Sequence, residues 1–307
     1  MTPTDLVTGA FSYSGSHIAR QLLEAGRHVR TLTFHPDREH PLRADVAAHA
    51  FRFDDPVSLA RSLASVHTLY NTYWVRFDRG QTTFTTALEH SRMLFLAAQR
   101  AGVQRIVHVS ITNPSIDSPL PYFRGKALVE SALAQIGMPH SIVRPTWLFG
   151  GERDVLVNNI AWILRRAPIF AMPGRGRYPV QPVHVDDLAR ICIEAAQADD
   201  DLVVDAAGPE RMPFRDLIAL IRAATGHHGP VIPLPPVLMT AAARTVGLLV
   251  GDVVLTPDEI TGLMDGLLVS DDRPLGEIAF SDWLDEHASS LGSAYANELD
   301  RHFSAGR

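Results

Sequence analysis

The stretch Leu6-Val7-Thr8-Gly9-Ala10-Phe11-Ser12-Tyr13-Ser14-Gly15-Ser16-His17-Ile18-Ala19 decides the fold. Apolar and β-branched residues run into Gly9, and beyond Gly15 the apolar positions recur at helical spacing, so a strand hands over to a helix across a tight turn. Gly9 permits the turn and Gly15 lets the helix pack closely on the strand. Free N–H groups and the dipole at such a helix start favour an anion, which makes the turn a pyrophosphate cradle. Its candidate contacts are Gly9, Phe11, Ser12, Tyr13, Ser14 and Gly15. Ser12 stands where a middle glycine is usual, so the motif is incomplete.

Outward from this turn, short β-branched runs alternate with amphipathic stretches. Strands are expected over residues 5–8, 28–33, 50–53, 68–71, 105–110 and 140–144, and helices over 15–25, 56–64, 82–101 and 122–136. Gly26, Gly102 and Gly137 close three of these helices. The alternation predicts an α/β fold, a Rossmann-type doubly wound parallel sheet. After Gly150-Gly151 the pattern changes to a helix over 154–166, a Pro/Gly-rich turn at 173–176, and a segment 178–185 entering another helix. A strand over 202–205 is expected to return to the sheet edge. Helices are expected over 213–225, 237–250, 257–264 and 281–302. The domain reading is a dinucleotide-binding domain of residues 1–150 plus about 179–207, with a smaller, helix-rich substrate lobe of 151–178 and 208–307.

Composition removes several classes of function. In 307 residues, 46% hydrophobic and 20% charged, there is ample material for a folded core. A net charge of −6 without a basic stripe gives no footprint for a nucleic-acid backbone. The single cysteine, Cys192, lies in an apolar stretch, which rules out a disulfide framework or a cysteine metal site. Fourteen histidines include no His-Glu-x-x-His, and His227-His228 falls in a Gly-bounded turn, so no metal is expected. Met-Thr-Pro-Thr-Asp at the start has no signal-peptide character, and a cytoplasmic location is expected. The most apolar region, 231–255, is broken by Pro233, Pro235, Pro236, Arg244 and Asp252, so it reads as a cleft-lining helix or a homodimer contact rather than a membrane span.

Two further clusters carry chemistry. Thr33-Phe34-His35-Pro36-Asp37-Arg38 follows the second strand, where an acid grips a ribose hydroxyl and cations accommodate a 2′-phosphate. Thr33 with His35 and Arg38 favours NADP(H) over NAD(H), and Asp37 argues the other way. Asp54 can meet an adenine edge or, equally, cap the helix that starts at Pro56. Tyr122 and Lys126 lie one turn apart on one face of a helix start. A tyrosine needs such a neighbour, because an ammonium favours its phenolate and brings an ordinary pKa of about 10 toward the working range. Ser110, at the end of the fifth strand, can polarise a substrate carbonyl.

Thr8-Gly9-Ala10 to Gly15, Ser110, Tyr122-x-x-x-Lys126 and Arg144-Pro145-Thr146-Trp147-Leu148-Phe149-Gly150 together resemble the extended or atypical short-chain dehydrogenase/reductases, over most of the chain. Residues 181–189 and 255–259 resemble the branch containing NmrA-like proteins and the NAD(P)H-binding accessory subunit of respiratory complex I. The resemblance implies an oxidoreductase with Tyr122 as acid/base, Lys126 on the nicotinamide ribose and Ser110 orienting a small-molecule substrate. It adds Asn71, Pro145 and Thr146 to the expected cofactor contacts. A dinucleotide-binding sensor or assembly protein and a sugar-nucleotide epimerase or dehydratase are the alternatives it leaves open. Asn71-Thr72-Tyr73-Trp74 departs from the small residues usual after the fourth strand, and the bulk of Tyr73 and Trp74 is expected to narrow the nicotinamide end.

Overall fold

The computed structural model of the protein describes residues 3–151 and 154–299. β1 (Thr4–Thr8) leads through Gly9 into α1 (Tyr13–Glu24), and β2 (His28–Thr33) follows. The alternation continues with β3 (Val46–Ala50), α2 (Pro56–Ser62), β4 (Val66–Asn71), α3 (Phe84–Ala101), β5 (Arg105–Val109), α4 (Pro121–Ile136) and β6 (His140–Pro145). Next come β7 (Trp147–Phe149), α5 (Leu156–Arg166), β8 (Phe170–Pro173), β9 (Pro179–Val180), β10 (Pro182–His184), α6 (Val185–Ala195) and β11 (Leu202–Ala206). β12 (Met212–Pro213), α7 (Phe214–Thr225), β13 (Val231–Leu234), α8 (Pro236–Val250), α9 (Pro257–Met264) and α10 (Phe280–His287) follow. They form two compact units, Met1–Pro145 with Val185–Ala206, and Thr146–His184 with Ala207–Arg307.

The first unit is built on a seven-stranded sheet in the order β11-β6-β5-β4-β1-β2-β3. Every neighbouring pair is parallel. Parallel strands carry helices on both faces and are buried on both, which is why β5 is apolar-rich and buried along its whole length. Leu6, Leu32, Leu69, Ile106 and Ile142 from the strands pack with Leu59, Leu94, Phe95 and Leu133 from the helices. α1 is pinned to α6 through Asp186, which pairs with His17 and Arg20, while Gln21 donates to its backbone carbonyl. The strand order reverses between β1 and β4. In such sheets the crevice at the carboxyl ends of these two strands is the ligand position.

Three expectations of extent are corrected. The third strand is Val46–Ala50 rather than residues 50–53, since Val29 to Thr33 of β2 pair with Val46 to Ala50 in register. An edge strand does not need the strongest apolar run, and the Phe51 and Phe53 rings lie beyond the strand's end. The helix expected from residue 154 begins at Leu156, and Asp154 instead accepts from the Val157 N–H. The helix expected over 281–302 is interrupted after His287, with Glu298 and Leu299 helical again and residues 300–302 outside the described residues. Arg165 takes the carbonyls of Ala288 and Leu291, and Arg166 those of Gly292 and Ser293, all of them acceptors a continuing helix would need for itself. Gly292, at φ 71°, lies so close to α5 that a Cβ would sit 2.5 Å from the Trp162 nitrogen.

The second unit has its own core of Trp147, Phe149, Leu164, Phe170, Phe214, Leu217, Phe280 and Trp283. Three two-stranded pairs, β7 with β10, β9 with β12 and β8 with β13, frame it. α8 keeps only Ala243 and Gly247 buried and exposes Val237, Leu238, Leu248 and Leu249. No described helix is long and apolar enough to cross a membrane.

Candidate active site at the carboxyl edge of the sheet

Gly9 adopts φ 66°, a left-handed conformation that side chains disfavour. A Cβ at Gly15 would lie 2.2 Å from the Gly9 carbonyl oxygen, so only glycine lets α1 start this close to β1. Ser12 is the N-cap residue of α1, yet its hydroxyl turns back to donate to the Gly9 carbonyl at 2.6 Å and no side chain caps the helix. The helix start is thereby kept free of a side-chain acceptor, the arrangement that suits a phosphate. Phe11 is buried with its ring 5.2 Å from His40.

Across the strand reversal, the segment after β4 is tied to the end of β1. The Thr8 hydroxyl accepts from the N–H groups of Thr72 at 2.8 Å and Tyr73 at 3.1 Å, and the Thr72 hydroxyl donates to the Thr8 carbonyl at 2.6 Å. Asn71 is fully buried, its carbonyl 3.2 Å from both the Thr8 hydroxyl and the Tyr73 N–H and its amide 3.1 Å from His108 Nδ1. Its side chain therefore holds the segment in position. His108 is pushed well below the usual histidine range by burial and by the nearby Lys126, and it is neutral.

At the expected adenosine end, Thr33 closes β2 and its hydroxyl accepts from the His35 N–H at 3.1 Å. Arg38 follows in the turn, its N–H on the His35 carbonyl at 3.2 Å. Asp54 is exposed and pairs with Arg52 at 3.2 Å, whereas the cap of α2 is Asp55, which accepts from Val57 and Ser58 N–H groups. An aromatic cluster missed in the sequence gathers Phe34, Phe51, Phe53, Tyr73 and His90. Phe53 stacks on His90 at 3.8 Å between centroids, and the Tyr73 hydroxyl meets His90 Nδ1 at 3.0 Å. The signal for it was available, since Phe34, Phe51 and Tyr73 each follow closely on the carboxyl end of a strand, β2, β3 and β4 in turn.

Ser110, Tyr122 and Lys126 all belong to the first unit, on the same carboxyl edge as Gly9. The Ser110 hydroxyl is buried and makes no hydrogen bond. Lys126 is 3% exposed, and its ammonium donates to the Val109 carbonyl at 2.8 Å. Burial pushes it down to about 7, against the opposing pull of Glu130. The Trp74 ring lies 5.1 Å from Lys126 Nζ and edge-on to Tyr122 at 6.2 Å, with Phe84 stacked on it at 5.9 Å. Pro145 ends β6, its carbonyl accepting from the Thr112 N–H at 3.0 Å. Thr146 begins the second unit, where its hydroxyl is engaged by the Gln181 carbonyl.

His184 is buried in the second unit against Phe149 and Trp283. Asp186 and Asp187 sit inside the first turn of α6, and Asp187 pairs with Arg190 at 3.0 Å. Cys192 is fully buried, and burial pushes its thiol up. Among the described residues no three His, Cys, Asp or Glu side chains gather as a metal site.

The NAD dependent epimerase/dehydratase family model matches residues 6–206. A curated relative, NADH dehydrogenase [ubiquinone] 1 alpha subcomplex subunit 9, mitochondrial, of Arabidopsis thaliana, is 24% identical over 285 residues, 86% of this chain and 70% of the relative. Among solved structures, triphenylmethane reductase of Citrobacter sp. complexed with NADP(H) superposes with a TM-score of 0.75 at 16% identity, covering 93% of this chain and 99% of that one. The NADPH-dependent quinone oxidoreductase of Escherichia coli complexed with NADPH gives 0.74 at 20% identity, with the same two shares. The seven-stranded sheet, the glycine turn at its strand reversal and a match spanning about two thirds of the sequence lead to one assignment: this chain belongs to the NAD dependent epimerase/dehydratase family.

Proposed function

We propose that the protein is an NAD(P)-dependent oxidoreductase acting on a carbonyl or alcohol group of a small molecule. The observation that carries this reading is the buried, unpartnered Ser110 hydroxyl at the end of β5. A buried hydroxyl without a partner is uncommon, and a bound carbonyl oxygen gives it one. Tyr122, at the start of the following helix, donates or accepts the substrate proton. Lys126 favours the phenolate while it is protonated, and the uncapped start of α1 holds the pyrophosphate. The dinucleotide, when bound, supplies or takes the hydride. His35 and Arg38 beside Thr33 support NADP(H) over NAD(H).

Fluorescence titration with NADPH and NADH, followed by a carbonyl-substrate screen with wild type and Tyr122→Phe, tests the proposal. Tyr122→Phe should lower kcat by about 10²- to 10⁴-fold with dinucleotide affinity little changed. If neither dinucleotide binds, the reading is wrong. Tight binding without turnover across the panel supports a second reading, a dinucleotide-binding sensor or assembly protein, which the cover of Trp74 over Lys126 favours. The family match is the reason to include nucleotide sugars in the panel, since turnover of those alone means epimerase or dehydratase chemistry.

A further inference from the structure

Lys126 has three N–H donors, and in this structure one of them goes to the Val109 carbonyl. The ammonium faces the Trp74 ring at 5.1 Å. Trp74 is seated there by its surroundings. Residue 125 is glycine, and a Cβ at that position would lie 2.8 Å from Cζ2 and 2.9 Å from Cη2 of the indole. Phe84 and Tyr122 complete the seat. Thr72 and Tyr73, just before Trp74, are anchored to Thr8, so the backbone is held while the indole can turn about its own side-chain bonds. The seat leaves one polar group unserved, because the buried indole Nε1 has no hydrogen-bond partner. Turning out returns that N–H to water and uncovers the ammonium.

Resting on the dinucleotide-binding reading above, we infer that Trp74 is a positioning residue that covers Lys126 and holds back the nicotinamide half of a dinucleotide while leaving the adenosine half free to bind. The expected adenosine and pyrophosphate contacts follow β1, β2 and β3, whereas Trp74 follows β4. Only the nicotinamide ribose has to reach Lys126. The covered and uncovered arrangements thus lower apparent affinity for the whole dinucleotide by the uncovered fraction, and that penalty is absent for a ligand that stops at the pyrophosphate.

Affinities of NADPH and adenosine 2′,5′-bisphosphate, and of NADH and ADP, measured by calorimetry on wild type, Trp74→Ala and Gly125→Ala test this inference. Both variants should bind the preferred dinucleotide about tenfold more tightly, with the matching fragment unchanged within about twofold. Acetylation of Lys126 by acetic anhydride, read by peptide mass spectrometry, should accelerate in both variants without any ligand. Circular dichroism and thermal melting check that each variant folds, and two substitutions of opposite kind guard against loss of either. An unchanged ratio of dinucleotide to fragment affinity, or weaker dinucleotide binding in Trp74→Ala, overturns the inference. If wild type binds the fragments and dinucleotides not at all, the dinucleotide reading falls and the cover over the ligand falls with it, whereas fragment binding with an unchanged ratio sinks the cover alone.

Discussion

At the scale of single residues, the site is decided by what each side chain is denied. Lys126 is denied water, and its charge is therefore conditional. An unfolded lysine titrates at 10.5 and the buried one at about 7, so the folded state bears a burial cost that is complete below pH 7 and fades as the pH rises toward 10.5. Lys126→Met removes that cost. The variant should be more stable than wild type at pH 6, by up to about 5 kcal/mol at about 1.4 kcal/mol per unit, and the advantage should shrink steadily between pH 7 and 10. Urea unfolding at several pH values measures this. A gain that does not vary with pH would mean that packing, and not the charge, is the cause. The Tyr-x-x-x-Lys spacing was legible in the sequence, but the cover over the lysine was only half legible: Trp74 stood out as too large after the fourth strand, while its pairing with Gly125 joins residues far apart in the chain.

At the scale of elements, caps and turns were readable wherever the signal is local. Gly102 and Gly137 end α3 and α4 in left-handed conformations, as their positions in the sequence imply. α9 starts with Thr256 and Glu259, whose side chains satisfy each other's backbone N–H groups at 3.2 and 2.8 Å. Thr256→Ala should therefore cost about 1 kcal/mol in denaturant unfolding, with Thr256→Ser close to neutral. A cost near zero for alanine would show that the tertiary packing of Ile260 and Leu263, not the cap, sets this helix. Element ends went astray where a distant group competes for the backbone. Arg165 and Arg166 take the acceptors beyond α10 from more than a hundred residues away, and no local pattern announces that. Asp54 and Asp55 are a milder case, since adjacent acids offer the same cap and only the backbone geometry selects Asp55.

At the scale of the whole molecule, binding and folding are linked. A dinucleotide that binds the native first unit and not the unfolded chain stabilises it by RT ln(1 + [L]/Kd), about 2.7 kcal/mol at a hundredfold excess over Kd. Calorimetric melting should accordingly show NADPH raising Tm by several degrees, and by more than NADH at equal concentration if His35 and Arg38 read a 2′-phosphate. Equal shifts would remove the argument for NADP(H), and no shift with either would count against dinucleotide binding altogether. The second unit has an independent core, so a scan that resolves two transitions should move one of them.

The sequence by itself determined the parallel α/β sheet, the glycine turn between its first strand and helix, and the order Ser110, Tyr122, Lys126, because periodicity, positive-φ glycines and helical spacing are properties of near neighbours along the chain. Only the tertiary structure decided what those residues face. The register of β2 on β3 shifted the third strand, Asn71 was turned inward to Thr8 and His108, three successive strand ends brought Phe34, Phe51 and Tyr73 into one cluster, and Trp74 was seated on Gly125 over Lys126. Each of these depends on which strands become neighbours, and that is fixed by packing across the sheet, where residues far apart in sequence compete for the same space.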